Sequence, residues 1–171
     1  MIIGITGLAQ SGKSTLANIL CTRHGFVSIA LADSLKNIAK EHFNWDGQKD
    51  SRGRRLLQLL GTEVGRTYDA DLWVIKLQNK IAIKRAQGKL DIVVPDVRFQ
   101  NEAQAIKSWG GFIVRLNGRG GLEGIAGQHV SELEMLSIVP DVSFGNDGLI
   151  EALEIFAAQL PGLLGPRKDI S

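Results

Sequence analysis

Residues 2–15 read Ile2-Ile3-Gly4-Ile5-Thr6-Gly7-Leu8-Ala9-Gln10-Ser11-Gly12-Lys13-Ser14-Thr15, and this stretch decides the fold. Ile2–Thr6 is a short apolar run, as expected of a strand buried on both faces of a parallel sheet. Gly7–Ser14 then matches the pattern G-x-x-x-x-G-K-S in full, and Lys13–His24 continues with helical spacing. The residue types follow from anion chemistry. Gly7 and Gly12 let successive backbone N–H groups turn toward one phosphate, and the helix beginning near Lys13 adds the positive end of its dipole. Lys13 is placed to reach β- and γ-phosphates, and the Ser14 hydroxyl to hold Mg²⁺. Gln10, Ser11 and Thr15 complete a predicted site for a nucleoside triphosphate. No G-x-G-x-x-G occurs at this turn, which excludes a dinucleotide fingerprint.

Outward from this unit, apolar runs at Phe26–Leu31, Asp91–Val94, Phe112–Leu116 and Val142–Phe144 predict four more strands. Helical spacing covers Ser34–Phe43, Arg54–Tyr68, Leu72–Arg85, Asn101–Trp109 and Leu149–Leu160. Strands alternating with helices predict an α/β fold, a five-stranded parallel sheet between two helical layers. The alternation breaks once: three helical segments in a row separate the second and third strands. The expected division is a core of residues 1–33 and 88–163, a helical insertion at 34–87 and a lid at about 117–131. The lid expectation rests on Asn117–His129, which is rich in glycine and carries Arg119 but shows no period. The tail after Pro161 is expected to fray.

A chain of 171 residues with 44% hydrophobic and 22% charged residues is large enough for one buried core. A net charge of only +2 gives no global positive field of the kind a dedicated nucleic-acid binder carries, so stable nucleic-acid binding is not expected. The lone Cys21 fits a reducing compartment, and the N-terminal run is too short for a membrane span or a signal segment. The sequence reads as cytoplasmic.

A guanine-specific GTPase would carry N-K-x-D after a strand, whereas Asn79-Lys80 lies inside a predicted helix. Asp50-Ser51-Arg52-Gly53 imitates a switch-type D-x-x-G but follows a polar stretch. A small-molecule kinase needs positive charge at the transferred group, a second site for the acceptor and exclusion of water. Asp96 and Arg98 follow the third strand at its carboxyl end, where Asp96 would hold Mg²⁺ through water or cap a turn, and Arg98 would bind phosphate. Asp33 is either an acceptor contact or the N-cap of Ser34–Phe43. On the second helix of the insertion, Leu56, Leu57, Leu60 and Val64 form one stripe, and Arg55, Thr62 and Arg66 a second face directed at a cleft. Arg55 and Arg66 are candidates for clamping an acceptor phosphate or are solvated helix residues. Ser131 and Glu134 have capping-box spacing, and His129 beside them is a lone histidine. Trp73, Leu77 and Ile81 recur at helical spacing and read as core more readily than as a stacking platform.

Together the stretches Gly7–Thr15, Ala32–Lys36, Leu56–Arg66, Asp71–Trp73, Asp96–Ala103, His129–Glu132 and Asn146–Gly148 resemble the phage-type deoxynucleoside monophosphate kinases of the P-loop nucleotide-kinase superfamily. Only the first is generic; Gly61–Arg66 and Asp96–Ala103 are the diagnostic ones. The resemblance implies transfer of the ATP γ-phosphate to a deoxynucleoside 5′-monophosphate with Mg²⁺. It implies a monophosphate-binding role for the helical insertion and a three-layer P-loop nucleotide-kinase fold. It places Lys13 and Ser14 at the ATP phosphates and metal, and Asp33, Lys36, Thr62, Arg66, Trp73 and His129 toward the acceptor. Asp96 and Arg98 then flank the phosphoryl path, Arg119 serves the lid, and Asn146 lies near the adenine. Relatives of this size would be expected to pair as homodimers. The chain departs from the pattern at Val64, where an aromatic is expected, and at Gln100, where a proline is expected. Dephospho-coenzyme A kinases are similar in size, in the loop and at Asp33. A non-catalytic ATP-binding module is the reading of a different class.

Overall fold

The computed structural model describes residues 1–48, 50–118, 130–146 and 148–165. Five parallel strands form one sheet in the order β2-β3-β1-β4-β5: β1 (Ile2–Thr6), β2 (Val27–Ser28), β3 (Ile92–Val94), β4 (Phe112–Gly118) and β5 (Val142–Asn146). β1 lies at the centre, with Ile3 opposite both Val93 and Phe112, and every residue of β1 and β3 is buried. That burial explains why both read as unbroken apolar runs rather than alternating ones.

The helices are α1 (Lys13–His24), α2 (Ala32–Phe43), α3 (Ser51–Gln58) continuing into a π-helix at Leu59–Arg66, α4 (Leu72–Ala86), α5 (Gln100–Ser108), α6 (Val130–Ser137) and α7 (Ile150–Leu164). Two apolar cores cover the two faces of the sheet. One gathers Leu16 and Leu20 of α1 with Leu153, Phe156, Ala157 and Leu160 of α7, an i, i+3, i+4, i+7 set, and Phe156 stacks on Phe144 of β5. The other takes Trp73, Leu77 and Ile81 of α4 with Ala103 and Ile106 of α5 and Met135 and Ile138 at the end of α6. Trp73, Leu77 and Ile81 are thus core, as their spacing favours. No helix among the described residues is long and apolar enough to cross a membrane.

Four differences from the sequence reading have physical causes. β2 shrinks to two residues because the chain turns at Ala30, where its N–H donates to Asp33 Oδ2 and α2 begins early, at Ala32. Asp33 therefore sits in the first turn of α2 and does not cap it. The switch-like Asp50–Gly53 is a helix start: Asp50 is the N-cap of α3 and accepts from Gly53 N at 2.7 Å. At the other end, α7 runs through Pro161 to Leu164 before Gly165 closes it, so the tail is helical three residues further than expected.

The fourth difference bears on the site. An expected α-helix at Arg54–Tyr68 changes to π geometry from Leu59 onward. A π-helix advances roughly 82° per residue where an α-helix advances about 100°. Across the join, Arg54, Gln58, Thr62 and Arg66 come onto one face, and Arg55 falls about a quarter turn away from Thr62. Val64 is exposed.

Candidate active site

The loop after β1 is built for an anion. Gly7 and Gly12 adopt φ of 142° and 97°, and Gln10, at φ 66°, is one of two non-glycine residues in that region among those described. A side chain at Gly7 would run into the Leu116 carbonyl, and one at Gly12 into the Asn146 amide. α1 starts with no side-chain cap and no acidic residue in its first turn, so no carboxylate of the helix offsets the positive end of its dipole at the loop. Lys13 Nζ folds onto the loop and donates to Gly7 O at 2.6 Å and Leu8 O at 2.5 Å. Ser11 is buried, and its hydroxyl has no hydrogen-bond partner among the described residues. Asn146 reaches from the end of β5 to donate to Ser11 O at 2.9 Å, and so braces the loop backbone.

Beside the loop opens a cleft of about 420 Å³. One wall is Gln10, Lys13 and Ser14; the opposite wall is Arg54, Gln58, Gly61, Thr62 and Arg66, on the face produced by the π-helix. Leu35 and Lys36 of α2, Trp73 of α4, and Asp96, Arg98, Phe99 and Glu102 after β3 close it.

Asp96 performs a cap, though for a helix 64 residues earlier in the chain. Its Oδ1 accepts from Leu31 N at 2.8 Å and its Oδ2 from Ala32 N at 2.9 Å, which pins the start of α2 to the carboxyl end of β3. Desolvation pushes its pKa above the ordinary carboxylate value, opposed by those two amides, Lys36 and Arg98. A carboxylate has about four acceptor sites, so the two bonds leave acceptor capacity on a residue that lines the cleft.

Arg66 is held from several sides. It pairs with Glu102, donates to Ala70 O at 3.1 Å and Asn101 Oδ1 at 3.2 Å, and lies over the Phe99 ring at 3.5 Å. Burial lowers its pKa, and Glu102, Glu134 and Asp71 oppose that shift. Glu102 is itself buried and is pushed up to about 7, chiefly by desolvation, with Arg66 and the Arg98 and Phe99 amides acting the other way. Its Oε2 accepts from Arg98 N at 2.8 Å and Phe99 N at 3.1 Å, capping α5.

Lys36, Thr62, Arg66, Trp73, Asp96 and Arg98 line one cleft with Lys13 and Ser14. Trp73 takes part as scaffold: it is buried, and its indole N–H donates to Gly61 O at 2.8 Å inside the π-helix. Arg55 does not join. It is exposed and paired with Glu63, and Arg54, one residue earlier, takes the cleft position because of the altered helical twist. Asp33 does not line the cleft either; its carboxylate faces Lys36 at 3.4 Å. Thr15 sits half-buried in α1, outside the lining. Arg119 and His129 lie outside the described residues. Sequence reasoning missed Arg54, Gln58 and Glu102; the first two need the π-helical twist, and Glu102 needs the contact with Arg66. Gln100, where a proline was expected, donates its backbone N–H to Glu134 and its side-chain amide to Ser137 O and Oγ, bonds that hold α6 and that proline could not make.

For a metal, no cluster of three His, Cys, Asp or Glu exists among the described residues. Mg²⁺ at a nucleotide needs none, being held by phosphates, waters and one or two protein oxygens, and Ser14 with the spare Asp96 lone pairs fits that donor set.

The two stretches that carry the resemblance, Gly61–Arg66 and Asp96–Ala103, meet through Arg66, Asn101 and Glu102. The sequence pattern of the deoxynucleotide monophosphate kinase family matches residues 46–155, which contain both. The chain belongs to this family. A provisionally named deoxynucleotide monophosphate kinase of Acanthamoeba polyphaga mimivirus is 31% identical, over 88% of this chain and 91% of its own. The protein is accordingly a phosphotransferase, a nucleoside monophosphate kinase. Solved structures place the fold among the P-loop kinases. Shikimate kinase from Aquifex aeolicus aligns at TM-score 0.52 and 15% identity, over 95% of this chain and 97% of its own. Dephospho-CoA kinase from Campylobacter jejuni aligns at TM-score 0.50 and 14% identity, over 96% and 97%.

Proposed function

We propose that the kinase transfers the γ-phosphate of ATP to the phosphate of a deoxynucleoside 5′-monophosphate, giving ADP and the diphosphate. The observation that carries this reading is the shared cleft, in which Lys13 and Ser14 face a wall bearing Arg54 and Arg66, with Lys36 and Arg98 between. Cations on both sides suit two phosphates that repel each other until their charge is offset. A monophosphate oxygen attacks the γ-phosphorus in line, a new P–O bond forms, the bond to the β-phosphate oxygen breaks, and ADP leaves. Transfer is direct, because positioning and charge neutralisation suffice for this chemistry. Bound Mg²⁺ would neutralise charge between the β- and γ-phosphates, with Ser14 and Asp96 as its protein oxygens.

The test is a panel of dAMP, dGMP, dCMP, dTMP, their ribose forms and dephospho-coenzyme A, each with ATP and Mg²⁺. Turnover is expected for at least one deoxynucleoside monophosphate, and Lys13→Ala should lower it by roughly 100-fold or more with the fold retained. Turnover of dephospho-coenzyme A alone, or full activity in Lys13→Ala, defeats the reading.

A further inference from the structure

We infer that Glu102 is a positioning residue of this kinase: it fixes the Arg66 guanidinium in the orientation that receives the acceptor phosphate. The inference rests on the acceptor reading above and assigns to a residue of the core, 36 positions away in sequence, control over a cation of the helical insertion.

Arg66 has five N–H donors. Among the described residues, Nη1 serves Ala70 O and Asn101 Oδ1, and Nη2 serves Glu102. That leaves Nε–H and one hydrogen on Nη2 for a ligand, on a group that lines the cleft. With Phe99 against one face of the guanidinium and Glu102 at its tip, the side chain cannot swing as a surface arginine does. Two free donors on an immobilised guanidinium make a preorganised phosphate receptor.

Stability alone does not account for this arrangement. A buried ion pair recovers its desolvation cost poorly, and apolar residues of similar volume would serve a purely structural contact at least as well. The shifts caused by burial on both partners express that cost. Every group that hydrogen-bonds the Glu102 carboxylate among the described residues, namely Arg66 Nη2 and the Arg98 and Phe99 amides, is a donor, an arrangement that favours the ionised form, while burial and the nearby Asp96 charge oppose it. One oxygen therefore orients Arg66 while the other fixes the backbone at Arg98, a second cation of the cleft. Asp96, on the same segment, pins the beginning of α2, so the start of α2 and the Arg66 guanidinium are both tied to the stretch from Asp96 to Glu102.

The experiment is a kinetic double-mutant cycle with Glu102→Gln, Arg66→Ala and the pair, on whichever monophosphate the native enzyme accepts. Glu102→Gln keeps the shape and the cap acceptor but removes the charge. Its KM for the monophosphate should rise roughly 10- to 100-fold while KM for ATP stays within about twofold, and the double variant should be no worse than Arg66→Ala. Glu102→Asp, which retains the charge at shorter reach, should fall between Glu102→Gln and native. Equal losses toward both substrates, multiplying effects in the double variant, or an unchanged monophosphate KM would each overturn the assignment. A native enzyme that accepts no monophosphate would instead refute the acceptor reading and this inference with it, an outcome seen before any variant is made.

Discussion

Gly65 is where packing and site geometry are most tightly joined, and Gly65→Ala exposes the connection. The residue is buried within the π-helix, and a Cβ built on it would lie 2.8 Å from Trp73 Cζ2, 2.9 Å from the Leu60 carbonyl oxygen and 3.2 Å from Trp73 Cε2. The carbonyl is backbone and cannot rotate away, and the indole is held by its bond to Gly61 O and by the core around it. One methyl forced into such a site costs about 1–3 kcal/mol. Against this, alanine in a helix gains up to about 1 kcal/mol over glycine. With the helix gain taken in full, the net expectation is a loss of up to about 2 kcal/mol, or up to roughly 8 °C in Tm for a domain of this size. Because Arg66 is the next residue, relief of the clash displaces its side chain, and the monophosphate KM should rise roughly tenfold or more. Gly162→Ala is the control: it lies in α7 with nothing within 4 Å of the added carbon, and should stabilise by about 0.4–1 kcal/mol with kinetics unchanged. Thermal unfolding and steady-state kinetics read both. If Gly65→Ala melts at or above the native temperature with native KM values, the tight contact and its coupling to Arg66 are wrong.

Arg54→Ala should raise the monophosphate KM several-fold while Arg55→Ala leaves it within about twofold, since the exposed Arg55–Glu63 pair contributes about 0–1 kcal/mol to stability and nothing to the cleft; the reverse ranking would refute the π-helical register. Stability should also carry a pH signature from Glu102. Its folded pKa of about 7 lies above the unfolded value of 4.5, so the folded state binds the extra proton and this group's contribution falls as pH rises from about 4.5 to 7. Denaturant unfolding should show native protein losing stability relative to Glu102→Gln across that window, and parallel profiles would refute the shift.

The sheet was legible because strands buried on both faces announce themselves as apolar runs, and the loop because its glycines, lysine and serine answer to one local geometry. The chemistry of Lys13 and Ser14 needed no tertiary information, since strand, turn and helix are contiguous. Arg66 was legible as a candidate from helical spacing, but Arg55 was preferred over Arg54 because spacing arguments assume about 100° per residue.

What the sequence by itself determined is therefore the α/β class, the glycine-bearing turn between β1 and α1, and the run of helices between β2 and β3. Each of these depends on residues close together in the chain. Tertiary structure decided the acceptor side: the π-helix over Leu59–Arg66 with Trp73 bonded into it, Asp96 spent on the start of α2, and Glu102 holding Arg66. These depend on partners separated by 12 to 65 positions, and on burial that turns ordinary carboxylates into fixed anchors. No local pattern encodes such pairings, because a carboxylate that caps its own helix and one that caps a distant helix read alike until the chain is folded.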